Sequence, residues 1–192
     1  MNVVLISSHS ANNKAVFDLT TKNHSDYCRL HGYFYRPIEE VYHPRIDIPF
    51  VLLLLENFDV VVSIGCDVVI QKQTCPIDRF ISDGLTAGRE LKSGTLNGDL
   101  LIMNKAAVPL LKEIDKLQNS APDTQTVINQ LQGKRSTIFV APLLQVAAPS
   151  MNPSIDYSSV RVEDYFAIHY HAIGKVPLVE DKIKGLSADL NI

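Results

Sequence analysis

The sequence predicts an α/β domain with a mixed, mostly parallel sheet flanked by helices, and three observations favour this fold. The 192 residues are 46% hydrophobic and 20% charged, which is typical of globular proteins. A chain of this length buries roughly 70% of its unfolded surface as one domain, so a single domain over residues 1–192 is expected. The β-branched run Val60–Val62 has neither helical nor alternating polarity, which indicates a strand covered on both faces.

The N-terminal part of the chain alternates strand and helix patterns. The predicted elements are a strand at 3–6, a polar loop at 7–13, a helix at 14–31, a strand at 33–35, a helix at 45–57 and the strand that starts at residue 59. Gly32 fits the position that ends the first helix. The first three of these elements form a β-loop-α unit.

The remainder of the chain continues this alternation with shorter elements. The predicted elements are a strand at 84–89, a turn at 96–99, a strand at 100–103, helices at 106–119 and 124–132, and strands at 138–140 and 165–170. Residues 141–164 contain several prolines and are expected to be irregular. Residues 168–175 are expected to end in a basic, glycine-containing loop, and residues 186–192 to form a loose tail.

Composition and charge exclude several classes of function. The net charge of −3 gives no electrostatic reason to expect nucleic acid or an anionic membrane as partner. Three cysteines without CxxC spacing favour reduced thiols in a cytoplasmic compartment. The longest apolar run, at 48–55, is far shorter than the ~20 residues of a membrane helix, so no transmembrane segment is expected.

Two places carry residues suited to a ligand site. Asp67 follows the buried strand after Gly65 and Cys66, which places it near the carboxyl edge of the sheet, where open α/β folds bind ligands. A plain turn aspartate is the alternative. The loop after the first strand, with its helix N-terminus, offers backbone N–H groups to a nucleotide or phosphate. Its candidate ligand residues are Ser7, Ser8, His9 and Asn12, and helix capping is their alternative role.

Several short patterns occur in an order that resembles a known family. Asn23, Tyr27 and the sequence His31-Gly32-Tyr33 end the first helix, and Arg45 opens the next. Together with the motifs below, over residues 3–177, this order resembles the GT-A-fold nucleotide-sugar glycosyltransferases. The similarity is to the galactosyl-, mannosyl- and xylosyltransferase group and to the glycogenin-like group. In these families the residue at Arg45 helps to hold the nucleotide-sugar.

The segment Gly65-Cys66-Asp67 is similar to the family's Asp-x-Asp signature, with its first aspartate replaced by glycine. The resemblance implies that Asp67 contacts a divalent cation, Mn²⁺ or Mg²⁺, which neutralises the donor diphosphate. It also implies that Gly65 and Cys66 lie against the nucleotide-sugar. Loss of the first carboxylate is expected to weaken metal or ribose binding.

Two further segments resemble parts of the family's catalytic site. Asn97 and Gly98 resemble the strand entry that lines the donor sugar, with the asparagine one place later than expected. Asp123 and Gln125 resemble the start of a helix whose amide or acid lies near the anomeric carbon in retaining members. Asn97, Asp123 and Gln125 are therefore the implied catalytic residues, and turn or cap roles are the alternative for Asn97 and Gln125.

The last element, His171 to Lys175, resembles the family's His-x-x-Gly-x-x-Lys motif. The resemblance implies that His171 is a metal ligand, with Gly174 and Lys175 at the diphosphate, although the expected lysine position holds Pro177. His169 shares a strand face with His171 and is the second candidate ligand, with a buried core histidine as the alternative.

Arg89 is a further candidate for a phosphate or sugar carboxylate, with an ordinary surface arginine as the alternative. The resemblance as a whole implies transfer of a sugar from a UDP- or GDP-linked donor to a hydroxyl of a carbohydrate, glycoprotein or glycolipid acceptor, with retained configuration. Two alternatives are a catalytically degenerate nucleotide-sugar-binding domain and a nucleotidyltransferase-like enzyme. The second would need a glycine-rich basic loop after the first strand, and residues 7–13 contain neither glycine nor arginine.

Overall fold

The computed structural model describes residues 1–9, 13–38, 45–91, 93–147, 161–170 and 175–190. The strands are β1 (Val3–Ser8), β2 (Phe34–Ile38), β3 (Val60–Gly65), β4 (Val68–Ile70), β5 (Leu85–Arg89), β6 (Leu96–Asn104), β7 (Ile138–Val140), β8 (Gln145–Ala147) and β9 (Ala167–His169). The helices are α1 (Lys14–His31), α2 (Ile48–Asn57), α3 (Val108–Gln118), α4 (Thr124–Leu131) and α5 (Lys175–Leu190). None of these helices is long and apolar enough to cross a membrane.

Six strands form the main sheet, in the order β2-β1-β3-β6-β5-β7. Strand β1 pairs in parallel with β2 and β3, and β5 pairs in parallel with β7. Strand β6 is antiparallel to both of its neighbours, β3 and β5. The predicted mixed, mostly parallel sheet is confirmed, and β6 begins at the edge where β1 and β3 end.

Both faces of this sheet are buried, as the β-branched run predicts. Val4 and Ile6 of β1 pack with α2, α3 and α4 on one face, whereas Val3 and Leu5 pack with Tyr27 of α1 on the other. Successive side chains of a strand point to opposite faces, so a strand covered on both sides is apolar at every position.

The predicted strand from residue 59 is in fact two strands in different sheets. Strand β3 belongs to the main sheet, whereas β4 belongs to a small sheet in the order β4-β9-β8. The prediction of irregular structure at 141–164 is wrong for Gln145–Ala147, because three residues suffice for a strand that pairs in parallel with β9. Two residues, Cys66 and Asp67, connect the two sheets.

The starts of α2 and β6 also differ from the prediction. Helix α2 begins at Ile48, because the Asp47 carboxylate accepts the N–H of Phe50 at 3.0 Å and caps the helix there. Arg45 therefore precedes the helix. The predicted turn at 96–99 is the first part of β6, whose pairing reaches Leu96 through Arg89 of β5.

The expected loose tail is wrong for residues 186–190, which complete α5. Val179 of this helix is fully buried, and Val176, Ile183 and Leu186 pack partly buried beside it. These residues recur at helical spacing and face an apolar cluster that includes Val16 of α1, and this packing stabilises the helix.

Candidate functional site

A cavity of about 470 Å³ opens at the edge of the main sheet where β1, β2 and β3 end and β6 begins. Helix α4 adds its N-terminal residues to the wall. The lining includes Ser8, Arg36, Arg45, Phe50, Gly65, Gly98, Asp99, Asp123 and Gln125. This cavity lies where Asp67 alone predicted a ligand site, at the carboxyl edge of the sheet.

Beside the cavity, Asp67, Asp99 and His169 form a three-residue cluster. The Nε2 atom of His169 lies 3.4 Å from Oδ1 of Asp67, and its Nδ1 atom lies 3.3 Å from Oδ2 of Asp99. One ligand atom from each residue lies within 4.8 Å of the others. The imidazole is buried and the two carboxylates are partly buried. The three segments that carry these groups are far apart in sequence.

Strand pairing explains how the three groups meet. Val68 is paired with His169 across β4 and β9, and the Tyr170 N–H donates to the Asp67 carbonyl oxygen at 2.8 Å. Asp99 lies one residue before Leu100, which is paired with Ile64 of β3. The cluster is therefore built where the ends of two sheets adjoin.

The donor set of this cluster fits a divalent cation. Two carboxylates in one partly buried site repel each other, and one imidazole can offset at most one of their charges. Carboxylate oxygens suit Mg²⁺ and Mn²⁺, and an imidazole nitrogen is a common additional ligand for transition metals. The sequence predicted Asp67, kept His169 as its second histidine and missed Asp99, which resembles a turn residue.

A row of polar side chains on α1 fixes the segment that carries Asp67; we call Thr20, Asn23, His24, Tyr27 and His31 the α1 clamp. The Thr20 hydroxyl donates to the Cys66 carbonyl at 2.8 Å. The Asn23 amide donates to the Ile70 carbonyl at 3.0 Å and accepts the Ile70 N–H at 2.9 Å. These bonds hold Cys66, in the connection between β3 and β4, and Ile70, the last residue of β4.

The remaining members of the α1 clamp bond other backbone carbonyls of the same segment. His24 donates from Nε2 to Val68 at 2.8 Å, Tyr27 to Cys75 at 3.0 Å, and His31 to Gln73 at 2.7 Å. A carbonyl only accepts, so Nε2 of each histidine must carry the hydrogen. Complete burial lowers the pKa of His24 from 6.5 to about 4, because the charged imidazolium is desolvated.

The side-chain amides of Gln125, which lines the cavity, and of Asn97 converge on Glu90. Gln125 accepts the Gly98 N–H at 2.9 Å through Oε1, so its Nε2 is the end that donates to Glu90 Oε1 at 3.3 Å. Asn97 accepts the Asp99 N–H at 2.7 Å and donates through Nδ2 to the same Glu90 oxygen at 3.3 Å. The structure thus brings Asn97 and Gln125 together and adds Glu90, which the sequence reasoning missed beside Arg89.

Asp123 lines the cavity and also caps α4, where its carboxylate accepts the Thr126 N–H at 2.6 Å. Two arginines line the same cavity. Arg45 donates to the Ala121 carbonyl at 2.7 Å. Arg36 lies 4.9 Å from the centre of the Phe50 ring and was missed by the sequence reasoning, because a single arginine near the end of a strand is a weak signal.

Not every predicted residue reaches this cavity. The predicted residues that do not line it include Ser7, His9, Cys66, Asp67, Arg89 and Asn97. The His9 ring packs at 4.3 Å from Phe17, and the Arg89 guanidinium donates to the Gly94 carbonyl in its own hairpin. Lys175 is the first residue of α5. Asn12, His171 and Gly174 lie outside the described residues.

Comparison with known proteins supports the fold through structure alone. No family model matches the chain, and no curated protein matches it. Among solved structures, a glycosyltransferase involved in glycosylation of the major capsid of PBCV-1 has a TM-score of 0.69 at 16% identity, covering 98% of this chain and 100% of that one.

Two other solved glycosyltransferases align over nearly the whole chain. GlyE of Streptococcus pneumoniae TIGR4 has a TM-score of 0.61 at 10% identity, covering 100% of this chain and 62% of that one. The galactosyltransferase LgtC, solved with donor and acceptor sugar analogues, has a TM-score of 0.56 at 9% identity, covering 97% of this chain and 95% of that one. The chain therefore has a GT-A-like glycosyltransferase fold.

Proposed function

We propose that the protein transfers a sugar from a UDP- or GDP-linked donor to a hydroxyl acceptor with the help of Mn²⁺ or Mg²⁺. The observation that carries this proposal is the cavity at the sheet edge with the Asp67, Asp99 and His169 cluster beside it. The GT-A-like fold and the solved glycosyltransferases that share it support sugar transfer. A carbohydrate, glycoprotein or glycolipid would be the acceptor.

Asp67, Asp99 and His169 would hold the cation. When bound, a divalent cation neutralises the donor diphosphate and stabilises the charge that develops on the leaving group. His171 remains a predicted ligand from the family resemblance. Lys175 and Gly174 likewise remain predicted contacts of the diphosphate.

The cationic and apolar parts of the cavity wall suit a nucleotide. Arg36 and Arg45 would bring positive charge to the donor phosphates, and Arg45 is held in place by the Ala121 carbonyl. Phe50 offers an aromatic surface, and Ser8 offers a hydroxyl at the end of β1. Gly65 and Gly98 also lie in this wall.

Glu90 and its two amides would act on the sugar. Asn97 and Gln125 hold the carboxylate by donating to one of its oxygens, and Ser93 donates to the other at 3.0 Å. A carboxylate fixed beside the reacting sugar stabilises positive charge at the anomeric carbon as the bond to the diphosphate breaks. We expect retention of anomeric configuration, as the family resemblance implies. Asp123 would place a further carboxyl group near the reacting sugar while it caps α4.

Isothermal titration calorimetry with a panel of UDP- and GDP-sugars, with and without Mn²⁺, tests this proposal. We expect one donor to bind only with Mn²⁺ and to be slowly hydrolysed without an acceptor. That donor should also raise the melting temperature, since a ligand at 100 times its dissociation constant adds about 2.7 kcal/mol. Absence of binding by every nucleotide-sugar would refute the proposal. Metal-independent binding without hydrolysis would indicate a donor-binding domain instead.

A further inference from the structure

We propose that Asp99 supplies from β6 the second carboxylate of the cation site, and that residue 65 is glycine because the Asp99 Cβ and the Asp67 carboxylate crowd the space that a side chain at 65 would need. The inference rests on the proposed cation site. It concerns how this chain builds that site from the residues at the ends of two strands. The ligand is a divalent cation, for which Mn²⁺ is the probe.

Strand register places residues 65 and 99 opposite each other. Ile64 is paired with Leu100 in the antiparallel β3–β6 ladder, so the next pair is Gly65 and Asp99. Residues directly opposite in an antiparallel pair point to the same face of the sheet. A side chain at 65 would therefore point to the side on which the Asp99 carboxylate lies.

The space beside residue 65 is crowded by the side chains of Asp99 and Asp67. A Cβ atom added at Gly65 would lie 3.3 Å from the Asp99 Cβ and 3.1 Å from Oδ1 of Asp67. Opposite Cβ atoms in antiparallel sheets are normally about 4.5–5.5 Å apart. Any larger residue at 65 would thus require Asp99 or Asp67 to shift by a few tenths of an ångström.

Backbone contacts direct the Asp99 carboxylate into the cluster. The Asn97 side chain accepts the Asp99 N–H at 2.7 Å, and Gln125 accepts the N–H of the preceding Gly98 at 2.9 Å. The start of β6 is thereby fixed by two side chains, with Asp99 Oδ2 at 3.3 Å from His169 Nδ1. A structural role for Asp99 alone would not require this approach to the imidazole that also contacts Asp67.

Carboxylate exchange between the two positions tests the inference. The variants are Asp99→Asn, Asp99→Gly, Gly65→Asp and the double variant Gly65→Asp/Asp99→Gly. Asp83→Asn, at an exposed aspartate before β5, is the matched control for loss of charge. Mn²⁺ binding is measured by electron paramagnetic resonance of the free ion, and metal-free melting temperature and circular dichroism report folding.

We expect Asp99→Asn and Asp99→Gly to weaken Mn²⁺ binding by more than roughly 10-fold, the least that is typical even for outer-shell partners. Asp83→Asn should bind like wild type. Gly65→Asp alone should melt at a lower temperature than the double variant in metal-free buffer. The double variant should bind Mn²⁺ at least roughly 10-fold more tightly than Asp99→Gly.

Two results would overturn the inference. If Asp99→Asn binds Mn²⁺ as tightly as wild type, Asp99 is not a ligand. If the double variant folds but binds Mn²⁺ no better than Asp99→Gly, the two positions are not interchangeable. Failure of the proposed function is seen separately, in wild-type protein that binds Mn²⁺ but neither binds nor hydrolyses any nucleotide-sugar.

Discussion

The two polar regions on either side of the β3–β4 connection differ in how their groups are balanced. The α1 clamp pairs neutral donors and acceptors with backbone groups of the connection and of β4. The cluster of Asp67, Asp99 and His169 instead brings two carboxylates to one imidazole. A neutral network with paired hydrogen bonds stabilises a fold, whereas neighbouring like charges cost stability unless a cation joins them.

The difference indicates that the two regions have separate roles. The clamp sets the position of the backbone that carries Asp67, and the cluster presents charge to the adjoining cavity. Substitutions in the clamp should therefore lower the free energy of unfolding, whereas substitutions in the cluster should mainly lower cation binding and activity. Three predictions test this separation.

The largest expected effect is on activity, from Asp67→Asn. Cation stabilisation of a leaving group is worth several kcal/mol, so turnover should fall about 1,000-fold. The free energy of unfolding of the metal-free protein should change much less than turnover does, because the substitution removes one of two neighbouring like charges. Initial rates of donor hydrolysis and urea unfolding measure the two quantities. Turnover equal to that of Asp83→Asn would contradict the proposed metal role.

The second prediction concerns Asn23→Ala in the α1 clamp. The variant leaves the buried Ile70 N–H without its amide partner, and an unsatisfied buried group costs about 1–3 kcal/mol. We expect the free energy of unfolding to fall by about 2 kcal/mol, which lowers the melting temperature by roughly 4–8 °C. Mn²⁺ affinity of the folded protein should change little.

Lys22→Ala is the matched control for this variant, because Lys22 lies on the exposed side of the same helix and forms an ion pair with Asp26. Its effect should stay below about 1 kcal/mol. Equal losses of stability in the two variants would show that the Asn23 bonds do not stabilise the connection.

The third effect, which is absent at neutral pH, is the pH dependence that His24 contributes. Its pKa is about 4 in the folded protein and 6.5 when unfolded, so the unfolded chain binds the proton more readily between these values. The stabilisation that neutral His24 contributes is present above pH 6.5 and is lost as the pH falls towards 4. The loss should reach about 2 kcal/mol at pH 5.

His24→Gln removes the titration, so its stability should fall less steeply than that of wild type between pH 6.5 and 4.5. Chemical denaturation at a series of pH values measures both slopes. Parallel curves for the two proteins would refute the assignment of this pH dependence to His24.

Local patterns predicted much of the sheet and placed Asp67 at its edge. Val60–Val62 predicted a doubly covered strand because burial on both faces removes every polar position. The bounds of α1 were also predictable, since its helix pattern ends at Gly32, whose φ of 69° suits glycine in a left-handed cap. These features depend on residues that are adjacent in the chain.

The features that were missed depend on contacts between distant segments. Asp99 follows an asparagine and a glycine, so it looks like part of a turn until β6 pairs with β3. Glu90 becomes a candidate site residue only through its hydrogen bonds with Asn97 and Gln125. The short strand β8 forms through its pairing with β9. His169 likewise reaches Asp67 only through the pairing of β9 with β4.

The origin of the cluster in three separate segments also ties cation binding to folding. Asp67, Asp99 and His169 come together only after β3, β6 and β9 have docked, so the unfolded chain has no comparable site. A cation that binds there would bind the folded state alone. It would therefore stabilise that state by an amount set by its concentration relative to its dissociation constant. Chelation would then lower the melting point of the whole protein, and Mn²⁺ could serve as a spectroscopic reporter of native topology during refolding.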